Sequence, residues 1–310
     1  YLSGVKNKLP YRIKTISEFH QLRGFLPPEH PLISVVDYSQ IKHSVENNLT
    51  SWILDFYMIS LKRTLNARFK YGQQQYDFDE GVLFFIAPGQ VFSVAIDSHS
   101  TPELSGWILL IHPDFLWGTF LAKKIKSYGF FQYAVNEALF LSDKEEKVIA
   151  DILRNIEREY QANIDKFSQN IIVTQLDLLL NYSERFYQRQ FLTRKKSSHQ
   201  VLEKLESLLD DCFNSDSLVN EGLPTAQFVA ESLNLSPNYL GSLLKALTGQ
   251  STQQHIHNKL IEKAKEKLST TGLSVSEIAY ELGFEHPQSF SKLFKNRTAL
   301  SPLDFRRSFN

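Results

Sequence analysis

The sequence predicts a multidomain α+β chain, and three observations carry that prediction. Apolar stretches rich in Ile, Val, Phe and Tyr, separated by turn residues, fill residues 31–117. Helical periodicity takes over from residue 142. The C-terminal part then repeats one pattern, a short helix, a tight turn and a second helix.

The strands come first. PLISVVDY, WILDFYMISLK and VLFFIAPGQVFSVAI partly alternate in polarity, and ENNLTS, KYGQQ, DFDEG, APGQ and DSHSTPELSG supply turns. GWILLIHPDFL adds a strand near 106–111, ended by Pro113. Short strands at this spacing without intervening helices predict an antiparallel sandwich or barrel within residues 1–141.

Residues 142–192 predict two helices. Ser142 and Glu145 have capping-box spacing, and Val148, Ile149, Ile152, Leu153, Ile156 and Tyr160 follow on one face. Ile172, Leu176, Leu179, Leu180, Phe186 and Tyr187 stripe the second helix. These helices either cover the sheet or make a seam with a second subunit. TRKKSSH, residues 193–199, reads as a linker, leaving 200–310 as an all-α domain.

Within that domain 229–252 and 278–302 align with one inserted residue. Ala230 corresponds to Ala279, where the two helices approach closely, and Leu240 and Leu244 correspond to Phe290 and Phe294. Asn234 and Gly283 share one turn position, and these residue types best tolerate a left-handed backbone. Leu235 corresponds to Phe284. Ser236-Pro237 and His286-Pro287 open the second helix of each unit, and Ser251/Gln254 and Ser274/Glu277 are further capping-box pairs.

The outer faces carry the functional expectation. Asn238, Gly241, Ser242 and Lys245 face outward on the first unit, and Gln288, Ser291, Lys292 and Lys295 on the second. His286, at the cap of the second helix, joins the DNA-facing set. Amide, hydroxyl and ammonium groups without an acid suit the major groove, where amides pair with adenine and lysine with guanine or phosphate. The same face would also serve as plain solvated surface, but two units with matching turns favour DNA. Residues 225–310 hold ten Lys/Arg against seven Asp/Glu, whereas 200–224 hold one Lys against six acids. The leading helix is therefore expected to face away from phosphate. Binding is expected to be salt-dependent and helped by pairing of subunits.

These residues resemble the AraC/XylS transcription regulators over 200–310. The resemblance rests on LPTAQFVAESLNLSPNYLGSLLKALTG, HNKLIEKAKEKL and SVSEIAYELGFEHPQSFSKLFKNRTALSPLDFRR. In the last stretch Ile278, Ala279, Gly283, Phe284, Ser289, Phe290, Phe294, Lys295, Ser301, Pro302, Phe305 and Arg306 fit the family pattern. Four positions depart from it. Ala299 stands at a usual glycine, Lys292 at a common arginine, and Gly241 and Ser242 leave the first reading helix without long side chains. The second helix is accordingly expected to carry more of the direct readout. The resemblance also implies that the N-terminal β region, above all EGVLFFIAPGQVFSV, is a cupin-like barrel. That barrel would bind a small-molecule effector, and the helices after it would make a homodimer.

Competing chemistry is weak in the sequence. His20, His30, His43, His99 and His112 are widely spaced, and His255 and His257 at i and i+2 of a helix point to different sides. Cys212, the one cysteine, reads as a buried structural thiol in a reducing compartment. No run of about 18 apolar residues suits a membrane span, and the first residues lack a signal-like apolar stretch. The expectation is a cytoplasmic regulator of double-stranded promoter DNA, in contact with RNA polymerase, with no enzymatic activity, cofactor, metal or membrane partner. Effector-binding residues are not assignable from sequence. The alternatives are a metal-dependent cupin enzyme with a DNA-binding tail, and a ligand-free regulator whose barrel only dimerises.

Overall fold

The computed structural model describes residues 10–37, 51–65, 68–71, 74–77, 81–92, 103–134, 137–162, 165–193, 195–214 and 218–308. The chain divides into two compact units, Tyr1–Gln190 and Phe191–Asn310.

The first unit opens with β1 (Tyr11–Ile13), α1 (Ile16–Arg23), β2 (Ile33–Asp37), β3 (Trp52–Leu54) and β4 (Tyr57–Leu65). The hairpin β5 (Arg68–Tyr71) and β6 (Gln74–Asp77) follows, then β7 (Gly81–Ile86), β8 (Val91–Phe92) and β9 (Glu103–Ile111). After the short helix α2 (Leu121–Lys124) come β10 (Leu139–Leu141), α3 (Asp143–Gln161) and α4 (Ser168–Thr193). Five strands form an antiparallel sheet in the order β10-β7-β4-β9-β2, while β1, β3 and β8 form a small mixed sheet in which β1 runs parallel to β3.

Both faces of the large sheet are covered. Val36, Met58, Ile86, Ile108 and Leu110 pack with Ile13, Ile16, Phe19 and Leu54 from α1 and the small sheet, and with Phe56 between β3 and β4. On the opposite face α3 packs along β2, β9 and β10, and Phe85 meets Phe130 at 4.4 Å between ring centres and Tyr187 of α4 at 6.3 Å. Burial on two sides explains why β7, GVLFFI, is apolar throughout instead of alternating. Gly81 admits α3 to its strand, because a Cβ there would lie 2.7 Å from Glu146 Oε2.

A closed barrel is not what the described residues form, since their strands make three separate sheets. WILDFYMISLK, read as one strand, divides into β3 and β4 in different sheets. The division falls at Asp55, whose N–H donates to Ile13 O at 3.0 Å and whose carboxylate accepts from Arg12 Nε at 2.8 Å. Those bonds hold β3 to β1. Pattern reading also passed over β1, β10 and α1, which is capped by Thr15 accepting from Glu18 N and ended by left-handed Gly24. His43 and His99 lie outside the described residues.

The expected linker 193–199 is largely helical. α4 runs to Thr193 and α5 (Lys195–Asn214) starts two residues later. Ser198 is buried and its hydroxyl donates to Phe191 O at 2.9 Å, an anchor that composition does not reveal.

After α5 the second unit contains α6 (Leu218–Glu221), α7 (Ala226–Ser232), α8 (Pro237–Thr248), α9 (Thr252–Thr270), α10 (Val275–Glu281), α11 (Pro287–Thr298) and α12 (Pro302–Arg307). One apolar core joins them. Leu205 and Leu209 of α5, Ile256, Leu260 and Ala264 of α9, and the buried residues of both repeats belong to a single cluster.

Candidate nucleic-acid interface

The two repeats share bonds, not just a pattern. In the first, Leu235 N–H donates to Ala230 O at 2.9 Å and Asn234 N–H to Glu231 O at 3.0 Å. In the second, Phe284 N–H donates to Ala279 O and Gly283 N–H to Tyr280 O, both at 3.0 Å. This is the Schellman ending, with its left-handed residue at Asn234 (φ 56°) and Gly283 (φ 81°). The two sites differ in surroundings. A Cβ on Gly283 would stand 2.9 Å from Leu218 O and 3.0 Å from the Gly222 carbonyl carbon. That closeness requires glycine at the second turn, while Asn234 is exposed.

The helices after the turns are seated from inside. Ala230, Leu240 and Leu244 are buried in the first unit, as are Ala279, Phe290 and Phe294 in the second. Phe284 packs edge-on to Phe290 at 5.6 Å, and Phe294 meets Phe305 of α12 at 5.5 Å. α8 begins with Ser236 accepting from Tyr239 N and Pro237 in the first turn. α11 begins at His286-Pro287, and the exposed His286 side chain makes no capping bond. The first-turn N–H groups of α11 therefore have no side-chain cap, a favourable feature for a phosphate oxygen.

Both α8 and α11 end in left-handed residues, Gly249 (φ 72°) and Ala299 (φ 64°), whose N–H groups donate to Lys245 O and Lys295 O. Ala299, noted as a departure, thus occupies the conformation glycine prefers. Pro302 is buried in the first turn of α12.

The sequence-predicted contact residues fall on two faces. On α8, Asn238 and Lys245 are exposed and Ser242 is half-buried, at i, i+7 and i+4. On α11, Gln288, Lys292 and Lys295 are exposed and Ser291 is half-buried, again on one stripe. Three lysines elsewhere in the unit are neutralised: Lys259 by Asp210, Lys263 by Glu266 at 2.7 Å and Lys267 by Glu281 at 2.7 Å. Lys245, Lys292 and Lys295 form no ion pair among the described residues. Free cationic charge is therefore present on both helices expected to read, while three of the four lysines of α9 are paired, a distinction net charge alone hides.

Three features escaped sequence reasoning. Arg297, exposed in the last turn of α11, donates to His257 Nδ1 at 3.3 Å and adds a cation beside Lys295. Arg306 is structural, donating to Leu273 O at 2.6 Å and to Leu268 O at 3.2 Å, which ties α12 to the end of α9. His255 is also structural. Its Nε2 lies 2.9 Å from Thr248 Oγ1, whose own proton goes to Leu244 O, so the imidazole donates from Nε2. Burial pushes the His255 pKa below its ordinary value, and the same holds for His257, where Arg297 adds to the effect. The His-x-His pair is thus occupied by Thr248 on one side and by Gln253 and Arg297 on the other. Cys212 is half-buried on α5, more open than expected. Among the described residues no three His, Cys, Asp or Glu side chains are grouped to hold a metal ion. No described helix is long and apolar enough to cross a membrane.

Residues 229–308 match the helix-turn-helix domain family. The transcriptional regulatory protein YesN of Bacillus subtilis is 38% identical over 95 residues, covering 30% of this chain and 26% of that protein. The raffinose operon transcriptional regulatory protein RafR of Pediococcus pentosaceus is 40% identical over 76 residues, covering 24% and 27%. The arabinose operon regulatory protein of Salmonella typhimurium is 30% identical over 130 residues, covering 42% and 45%. The chain thus spans less than half the length of each of these relatives. Among solved structures, the C-terminal domain of the two-component response regulator yesN from Fusobacterium nucleatum is 30% identical, covering 34% of this chain and 98% of that one, at a TM-score of 0.31. The family match makes residues 229–308 a helix-turn-helix domain, and the relatives that share this stretch are transcriptional regulators. The match agrees with the resemblance of residues 200–310 to the AraC/XylS regulators.

Proposed function

We propose that the chain is a sequence-specific DNA-binding transcription regulator that places α8 and α11 in the major groove of promoter DNA. The observation that carries this reading is the matched pair of helices on one core, with the unpaired Lys245, Lys292 and Lys295 on their outer faces. Gln288 and Lys292 read bases, and Asn238, Ser242, Ser291, His286, Lys245 and Lys295 supply further base and phosphate contacts. α11 carries most of the direct readout, because α8 presents Gly241 and Ser242 where a long side chain would be needed.

The first unit serves as a sensing domain of cupin-like ancestry whose ligand state alters promoter occupancy or contact with RNA polymerase. Pairing of two chains is supported by α4, where exposed Ile171 and Leu178 extend a stripe from exposed Phe167 at helical spacing. The regulator acts in the cytoplasm.

The test is selection of bound genomic fragments by the full chain, followed by titration of the selected site. Gln288→Ala is expected to weaken binding by about 1–3 kcal/mol and to relax preference at one base pair. Lys295→Ala should weaken all sequences alike and reduce the salt slope by about 1. Unchanged affinity and preference in both variants would remove these residues as readers.

A further inference from the structure

We propose that a cleft in the first unit, at the junction of β2, α3 and α4, binds a small organic cation with an apolar body. The proposal deepens the sensing role given above and rests on it. The cleft has a volume of about 250 Å³. Leu32, Ile33, Phe115 and Ile172 give it an apolar floor, and Asp114, Glu159 and Asp165 bring carboxylates to its rim.

Three observations set the sign of the ligand's charge. First, the carboxylates are unequally engaged. Asp165 Oδ1 accepts from Phe167 N at 2.7 Å and Ser168 N at 3.1 Å, so its charge is spent on the start of α4. Asp114 has only the His112 imidazole, 3.5 Å away, and Glu159 forms no ion pair among the described residues. Second, Glu159 and Tyr160 lie in the last turn of α3, where the partial charge of the helix is negative and favours a cation. The opposing positive end of α4 is already covered by Asp165. Third, among the described residues no Lys or Arg lines the cleft. His30 does not supply the missing cation, since burial lowers its pKa and favours the neutral ring.

Polar groups remain to orient the rest of the ligand. Tyr160 is buried, and its hydroxyl accepts from Glu29 N at 2.7 Å, which leaves the phenol proton to donate. His30 Nδ1 accepts from Leu32 N at 3.1 Å, so the neutral ring carries its proton on Nε2. A charged amine at Glu159 and Asp114, with an aromatic or aliphatic body over Phe115 and Ile172, satisfies both parts of the cleft. An anionic ligand would face the same carboxylates without a counter-ion.

The full chain is titrated with 2-phenylethylamine, 2-phenylethanol and phenylacetate, followed by calorimetry and by the thermal transition. Saturable binding of the amine is expected, at least tenfold weaker binding of the alcohol, and none of the acid. Glu159→Gln should weaken the amine about tenfold without shifting the transition of the free protein, and Asp114→Asn, on an exposed residue, is the second variant. Equal binding of all three compounds, binding of none, or wild-type amine affinity in both variants would overturn the assignment. DNA binding by the amine-free protein is measured alongside. Bound DNA without amine binding removes this cleft and leaves the regulator reading standing, whereas amine binding without retained DNA does the reverse.

Discussion

Gly283→Ala and Gly249→Ala are the same chemical change at two left-handed positions, and the structure predicts very different costs. Gly283 has φ 81° and Gly249 φ 72°, so each alanine meets about 1–2 kcal/mol of backbone strain. Reduced freedom of the unfolded chain returns roughly 0.5 kcal/mol of that. Around Gly249 nothing lies within 4 Å of an added Cβ, which leaves a net cost of about 1 kcal/mol. At Gly283 the new methyl would press on the backbone of Leu218 and Gly222 at 2.9–3.2 Å. Backbone moves less readily than a side-chain tip, so overpacking adds about 1–3 kcal/mol, for a total near 2–4 kcal/mol. Calorimetric unfolding of the full-length variants, with hydrogen exchange at the α10 and α11 amides, checks both values. Gly283→Ala should expose α10 and α11 to exchange well before Gly249→Ala does. Equal losses from the two substitutions would refute the argument, because strain alone would then account for both.

Ala299→Gly should stabilise the second unit by about 0.5–1 kcal/mol, since φ 64° becomes unstrained and the exposed methyl has little packing to lose; a lower unfolding midpoint in urea would contradict this. Asn234→Gly, at the exposed equivalent of Gly283, should change stability by less than about 1 kcal/mol, measured in the same way. Acid should destabilise the protein through its buried and half-buried histidines. Burial lowers the pKa of His20, His30, His255 and His257, so the unfolded chain takes up protons near the ordinary value of about 6.5 before the folded chain does. Their contribution is complete above that value and is lost as pH falls through the lowered ones. The thermal midpoint should therefore drop between about pH 7 and pH 5, less steeply in His255→Gln, and a flat profile would count against the assignment.

How much of this was legible in the sequence differs between the units. In the second, local chemistry and tertiary packing agree. Ser236, Ser251 and Ser274 each accept the backbone bond their spacing predicts, and the aligned alanines and phenylalanines are the buried ones. In the first unit long-range pairing decides the outcome. Nothing within WILDFYMISLK announces that Asp55 will bond to β1, more than forty positions earlier in the chain. Nor does a period-two pattern distinguish a barrel from stacked sheets, because both bury alternate residues. The basic composition of TRKKSSH suggested a linker for a related reason. Ser198 is held by a hydroxyl-to-carbonyl bond, and hydropathy carries no record of it.

The candidate interface was legible as a set of residues but not as a charge distribution. Counting gives 225–310 a small basic excess, a weak argument for binding a polyanion. Geometry changes its meaning, because Asp210, Glu266 and Glu281 are spent on lysines of α9 and not on those of α8 and α11. The acids that depress the net charge also neutralise three of the four lysines of α9. The basic excess that matters is therefore local to two helix faces, and its helical spacing of i, i+4 and i+7 was already written in the sequence. What the sequence lacked was the identity of each acid's partner, and without those partners a near-neutral domain and a focused DNA-binding surface look alike.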